Sequence, residues 1–251
     1  MNSISNGVNE NDARKKSRFF GLSRNVISLG AVSFLNDLSS DMIFPFIPIF
    51  LTSVLGATAA FVGLVEGIAD ATASVLKIIS GGLSDKWRRR KPFAVFGYSI
   101  SAAAKPILAF AAVPWHVLGV RFLDRVGKGV RDAPRDALIS FSADKKDFGR
   151  AFGFHRGADT LGAALGPLAA FLILPFIHND LRVLFLLSFA ASFVAVIILQ
   201  AFVREVYDSG QAAAPNSVFP AETEFGANGK FAITKLGSPF LIFLFRLDLN
   251  Q

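Results

Sequence analysis

The chain has 251 residues, of which 52% are hydrophobic and 27 are Phe, and it contains no Cys. It is too apolar for an ordinary soluble domain, and disulfides and thiolate metal sites are excluded. The net charge of +7 does not point to nucleic acid, because no separate polar domain is present to bind it; cytoplasmic loops of a membrane protein carry the same excess.

Residues 1–24 read as a cytoplasmic tail, polar from Asn2 to Asn11 and then basic at Arg14, Lys15, Lys16, Arg18 and Arg24. They hold no apolar stretch of the kind a signal peptide needs. Residues 25–203 read as six membrane spans, each about 20 residues or more, the length that crosses about 30 Å of hydrocarbon. The first, Val26 to Leu51, contains Asn36, Asp37, Ser40 and Asp41, with Pro45 and Pro48 towards its far end. An uncharged turn from Leu51 to Ala60 leads to the second, Phe61 to Gly82. There Glu66, Asp70 and Lys77 share one helix face. Asp85 to Lys91 is a strongly cationic loop, hence cytoplasmic. The third span, Pro92 to Val113, has one charge, Lys105, and Pro114-Trp115-His116 makes an outer turn.

Arg121 to Asp136 is the unusual stretch, with eight charges in sixteen residues. At helical spacing, Arg121, Asp124, Arg125, Lys128, Arg131, Asp132, Arg135 and Asp136 fall in one arc of about 140°. If this segment did not cross, its cations and Lys145, Lys146 and Arg150 would all lie outside, against the positive-inside bias. It is therefore assigned as the fourth span, Trp115 to Phe141. The fifth, Phe148 to Leu174, carries His155, Arg156 and Asp159, and the sixth, Val183 to Val203, carries no charge. Residues 204–237 read as a cytoplasmic linker, and residues 238–251 as the start of a seventh helix that the chain does not finish.

Four lipid-exposed charges in the fourth span would cost on the order of 10–14 kcal/mol, against about 3–6 kcal/mol returned by its apolar residues. The stripe must face partner helices or water. Charges concentrate in spans one, two, four and five, so these should line an interior, with the third and sixth outside against lipid. Asp37, Asp41, Glu66 and Asp70 are the expected counter-charges, with Asp37 and Asp41 opposite Arg121 and Arg125. Phe34-Leu35-Asn36-Asp37 also echoes Phe122-Leu123-Asp124-Arg125, and Gly67 to Thr72 echoes Gly157 to Thr160. This hints at a 3+3 repeat.

Three motifs then resemble those of the major facilitator superfamily of secondary transporters, in its N-terminal six-helix half. Gly81 to Lys91 is similar to the family's loop between helices two and three, with Gly81, Asp85, Lys86, Arg89, Arg90 and Lys91 at matching positions and Arg88 where a second Gly is usual. Arg121, Asp124 and Gly127 fall where the helix-four motif begins. Gly162, Gly166 and Pro167 match the Gly-Pro core of a helix-five motif associated with antiporters. The resemblance covers about Val26 to Val203. It implies an all-α integral membrane fold with cytoplasmic termini, transport by alternating access, helices one and four on the cavity, and Asp85 and its basic loop as a latch between halves.

The sequence thus predicts a proton-coupled, efflux-type permease of a bacterial inner membrane, for which this chain supplies one half. The C-terminal half would come in cis, or a second copy in trans, and the chain alone would not transport. Coupling candidates are Asp37, Asp41, Glu66, Asp70, Asp124 and Asp159, with Lys77, Arg121, Arg125, Lys128, Arg131, Asp132, Arg135, His155 and Arg156 on the same pathway. A scaffold or receptor is the rival reading and predicts a dry stripe closed by salt bridges. An enzyme is disfavoured: His116, His155 and His178 lack metal-ligand spacing, no Ser/His/Asp arrangement can be argued, and no Walker loop is present. No metal or cofactor is expected. The partners are the bilayer, a small solute and protons.

Overall fold

The computed structural model describes residues 18–19 and 21–206. The expected linker beyond Val206 and the expected start of a seventh helix lie outside the described residues. The described part opens on a short antiparallel hairpin, β1 (Arg18–Phe19) with β2 (Leu22–Ser23), which pairs Arg18 with Ser23 and Phe19 with Leu22. Six long helices follow: α1 (Arg24–Ile43), α2 (Ala59–Trp87), α3 (Lys91–Ala109), α4 (Pro114–Ser142), α5 (Phe148–Ile173) and α6 (Leu181–Phe202).

Local chemistry sets their ends. Side chains of Ser23, Thr58 and Asp180 cap the starts of α1, α2 and α6 by accepting the backbone N–H of Val26, Phe61 and Arg182. Each satisfies a donor that the first helical turn leaves orphaned. Pro114 opens α4, where a missing N–H costs nothing. Pro114-Trp115-His116 is thus the first turn of a helix, not the outer turn expected. Pro45 and Pro48 break the regularity of α1 without ending it. The chain continues through a 3-10 turn (Phe44–Phe46), one α turn (Ile47–Ile49) and a π turn (Phe50–Val54). At the far end of α2, Asp85 to Trp87 stay helical, so the cationic loop shrinks to Arg88 to Arg90. Four helical segments are long and apolar enough to cross a membrane by length and composition: Arg24–Val54, Ala59–Trp87, Lys145–Ile177 and Leu181–Phe202. Helix α4 is not among them, yet its 29 residues reach about 44 Å.

The packing obeys an internal symmetry. Helix α1 packs mainly on α5 and α6, α4 packs mainly on α2 and α3, and α3 meets α6. Exchanging α1 with α4, α2 with α5 and α3 with α6 maps this pattern onto itself, as a 3+3 repeat requires. Helices α2 and α5 therefore each lean on one main partner and leave wide open faces, where Ile78 is 75% and Phe171 71% exposed.

Among the described residues, two larger apolar cores and a small third around Met42, Ala170 and Leu184 hold the bundle. One, near the hairpin, gathers Val26, Leu29, Tyr98, Leu138, Ala195 and Leu199. The other, near the opposite end, gathers Ile47, Phe50, Leu108, Val117 and Phe185. Between them in α1, α3, α4 and α6 runs a belt of buried polar side chains: Ser33, Asn36 and Ser39, Ser101 and Lys105, Arg121, Arg131 and Arg135, Ser188 and Ser192. That belt positions the candidate site.

Candidate functional site

The stripe of α4 does turn inward. Arg121, Arg131 and Arg135 are buried, whereas Phe122 and Leu123 on the opposite side are exposed. Each guanidinium is anchored. Arg121 donates to Glu66 of α2 at 2.7 Å, lies 3.6 Å from Asp124 and sits 4.8 Å from the Phe44 ring centroid. Arg125 lies 3.8 Å from Asp70 and over the same ring. Arg131 donates to Ser101 at 2.8 Å and stacks 4.5 Å over Tyr98. Arg135 bridges Asp132 at 3.7 Å and Asp136 at 3.0 Å. Aromatic faces and carboxylates together replace the water these cations lose.

The expected pairing is therefore only half realised. Glu66 and Asp70 take Arg121 and Arg125, whereas among the described residues neither Asp37 nor Asp41 lies in an ion pair. Asp37 accepts a hydrogen bond from its neighbour Asn36 at 3.1 Å. Both α1 carboxylates are half-buried. Asp41 lies in the fields of Lys128 and Arg125 from α4 and of Lys105 from α3. The geometric reason is helix phase: Arg121 and Arg125 lean toward α2, and Lys128, on the same stripe, is exposed on the open side. Lys77, Asp70 and Arg156 are exposed as well.

Helix α5 contributes the second cluster. His155 is fully buried and faces Ser33 of α1, with Nε2 to Oγ at 2.8 Å, while its Nδ1 lies 3.5 Å from Asp159. Arg156 spans Asp159 at 3.5 Å and Asp136 of α4 at 3.8 Å. A Ser/His/Asp grouping that sequence spacing gave no means of arguing is thus present. Ser33 and His155, 122 residues apart, share the interior because α5 lies along α1. Ser33 and His155 are closed off from solvent, so the group has the wrong access for a nucleophile.

Tyr98 went unnoticed in the sequence, and Lys105 stood out there only as the one charge of its span. Lys105 is 2% exposed and donates to Ser39 of α1 and Ser192 of α6, tying three helices at one ammonium. It also lines a cavity of about 20 Å³ with Ser40, Arg121 and Asp124, which is room for about one water. A lone lysine in an otherwise apolar segment was the available signal.

Close approach of α5 to α1 depends on two glycines. A Cβ on Gly166 would sit 2.8 Å from Leu38 O and from Met42 N, and one on Gly162 would meet Phe34 O. Gly162, Gly166 and Pro167 thus serve helix packing, with Pro167 inside α5. At the other motif, Arg90 pairs with Asp85 at 3.2 Å and covers the Phe141 ring. Glu205 accepts both the Arg90 and Lys91 backbone N–H at 2.9 Å, and Lys91 reaches Gln200 O. Arg88 takes the left-handed conformation, φ 52°, so the turn made elsewhere with Gly is made here with Arg. Gly81 faces Ala133 of α4, while Lys86 and Arg89 are exposed.

The Major Facilitator Superfamily model matches residues 29–247. An MFS-type transporter of Methanocaldococcus jannaschii is 39% identical over 197 residues, which are 78% of this chain and 47% of that protein. The multidrug resistance protein MdtH of Yersinia enterocolitica is 31% identical over 146 residues, covering 56% of this chain and 36% of MdtH. Among solved structures, a POT family transporter in complex with 5-aminolevulinic acid superposes with a TM-score of 0.68 at 15% identity, covering 76% of this chain and 40% of that one. The human organic anion transporter MFSD10 gives 0.58 at 16% identity, covering 72% and 47%. This chain spans about half the length of that MFS-type relative. The six-helix bundle, its 3+3 symmetry and the family match agree: the chain belongs to the Major Facilitator Superfamily and is a multi-pass membrane protein of that transporter family.

Proposed function

We propose that this chain forms the N-terminal half of a proton-coupled secondary transporter that exports a small solute by alternating access. One observation carries the reading: Asp37 and Asp41 are half-buried on α1 and, alone among the coupling candidates, have no ion pair among the described residues. A carboxylate held away from water without a fixed cation exchanges protons and ligands more readily than one locked in a salt bridge. Lys128, Arg156, Asp70 and Lys77 are exposed on the faces that α2, α4 and α5 leave open. Lipid cannot cover charges at about 2.5–3.5 kcal/mol each, so those faces suit a water-filled cavity and a second half, in cis or as a second copy. The similarity to a multidrug resistance protein supports efflux. Lys86, Arg88, Arg89, Lys91, Lys145 and Lys146 gather at the end of the bundle where α2 finishes and α5 starts. The positive-inside bias makes that end, and the N-terminus, cytoplasmic in a cell inner membrane.

The test is flux in proteoliposomes under an imposed pH gradient, with this chain alone and combined with the C-terminal half of the 39% identical relative. Proton-driven export of at least one member of a panel of toxic compounds is expected only in the combined sample. Substituting Asp37→Asn together with Asp41→Asn should abolish it; undiminished proton-driven flux in that variant overturns the assignment.

A further inference from the structure

The Ser33 hydroxyl sits where three other helices converge. Tyr98 Oη of α3 lies 3.1 Å from its oxygen, His155 Nε2 of α5 at 2.8 Å, and Nη1 of Arg135 from α4 at 3.5 Å. All four residues are at most 5% exposed, so water does not complete the count. A hydroxyl has one hydrogen to give and two lone pairs to receive with. Arg135 has only hydrogens to offer, and the Tyr98 hydroxyl has no other partner among the described residues for its own. Those two donors fill both lone pairs. Ser33 gives its hydrogen to His155 Nε2, at 2.8 Å its nearest acceptor, ahead of the Asp159 carboxylate that also lies close to it; this makes the imidazole neutral and puts its proton on Nδ1, facing Asp159 Oδ2 3.5 Å away.

We propose that His155 is a proton-binding site whose occupancy is reported to α3 and α4 through the single hydroxyl of Ser33. It rests on the proton-coupled reading above and deepens it. One proton taken from water binds at Nε2 and makes that nitrogen a donor. Nothing else is released. Ser33 then confronts three donors with two lone pairs; reversal of the Tyr98 contact or the opening of one link relieves this, and repulsion between the imidazolium and the Arg135 guanidinium selects the link to Arg135. The Arg135 contact is the longest, and Arg135 keeps Asp132 and Asp136 when it lets go. The imidazolium, bound to Asp159, also repels Arg135 directly. Charges acting on His155 come from α5 (Asp159, Arg156) and α4 (Asp132, Arg135), with Asp37 of α1 acting on Asp159, Asp136 of α4 acting on Arg135, and the neutral Tyr98 of α3 at the hub. Protonation therefore cuts a link between α1 and α4, the first helices of the two three-helix repeats.

The experiment is nitrogen-15 NMR of the full chain in lipid nanodiscs, labelled at His and Arg, with His155→Gln and Arg135→Lys identifying the signals. At neutral pH the expected species is the Nδ1–H tautomer of His155. Ser33→Ala should leave that tautomer in place, held by Asp159, but weaken the response of Arg135 to acidification, and Ser33→Thr should retain that response. On acidification, the Arg135 side-chain signal should shift in step with formation of the imidazolium. An Nε2–H tautomer at neutral pH, an Arg135 response indifferent to Ser33→Ala, or an Arg135 signal unmoved by protonation of His155 would each overturn the proposal. None of these readouts requires transport. Expected signals without proton-driven flux sustain the hub and remove the transport reading; flux with an Nε2–H tautomer does the reverse.

Discussion

Lys105 Nζ lies 2.6 Å from Ser39 Oγ and also donates to Ser192 Oγ, and among the described residues it forms no ion pair. The ammonium is buried at the joint of α1, α3 and α6 with hydroxyls as its only described direct partners. Ser39 keeps a partner without it, since its own hydrogen goes to Ser188 O and it accepts from Ser192. An ammonium buried without a counter-charge carries a desolvation cost that an apolar residue of similar length does not. Lys105→Met is therefore expected to unfold at the same or a higher temperature than the parent in detergent. A clear loss of thermal stability in that variant would show the ammonium to be a required strut.

Arg121 and Glu66 form the shortest ion pair in the site, 2.7 Å. Removing Glu66 leaves Arg121 buried with a weaker hold on Asp124 and the Phe44 ring, and truncating one partner of a buried pair costs about 3–5 kcal/mol. Glu66 keeps part of its surface in solvent, so Glu66→Ala is expected at or below the bottom of that range, about 2–3 kcal/mol. A double-mutant cycle with Arg121→Ala checks it: the coupling energy should exceed about 1 kcal/mol, and additive single effects would mean the pair contributes nothing.

The two kinds of glycine in α5 separate packing from propensity. Gly166→Ala drives a Cβ to 2.8 Å from α1 backbone and should cost about 1–3 kcal/mol through overpacking. A Cβ at Gly153 meets nothing within 4 Å, so Gly153→Ala should stabilise by about 0.5–1 kcal/mol through helix propensity. Thermal unfolding of the two variants side by side decides this. Equal shifts would mean that α5 does not lie against α1 through Gly166.

Arg88 ends α2 at φ 52° and ψ 24°. A residue with a Cβ carries about 1–2 kcal/mol of strain there, and Gly carries almost none. Arg88→Gly is expected to raise stability by about 1 kcal/mol, and Arg88→Val to lower it. The order of the three melting temperatures, Gly above Arg above Val, is the measurement.

Much of this architecture was legible residue by residue. Helix α4 was identified as a span although it is not apolar enough to pass as one, because Lys145, Lys146 and Arg150 after it would otherwise lie on the wrong side. The inward turn of its stripe followed from insertion cost alone, and Arg121, Arg131 and Arg135 are indeed buried. The 3+3 repeat showed in two short echoes. What failed was pairing. Asp37 and Asp41 were matched to Arg121 and Arg125 because all four are charged and span the same depth, but spacing along one helix says nothing about the rotation of the next. Lys105 stood out as the one charge of its span, but its partners on α1 and α6 were out of reach for the same reason.

Composition, apolar run length and the bias of basic loops thus determined the number of helices, their order and which face of α4 is polar, because each reflects a cost that lipid imposes on a single segment. The partners of each charge, the closure of Ser33, Tyr98, Arg135 and His155 around one hydroxyl, and the exposure of Lys128 beside buried Arg131 were decided only by tertiary structure. They depend on how far each helix is rotated about its axis. That rotation is set by small residues such as Gly166 meeting a neighbour's backbone, an interaction between segments that no single segment encodes.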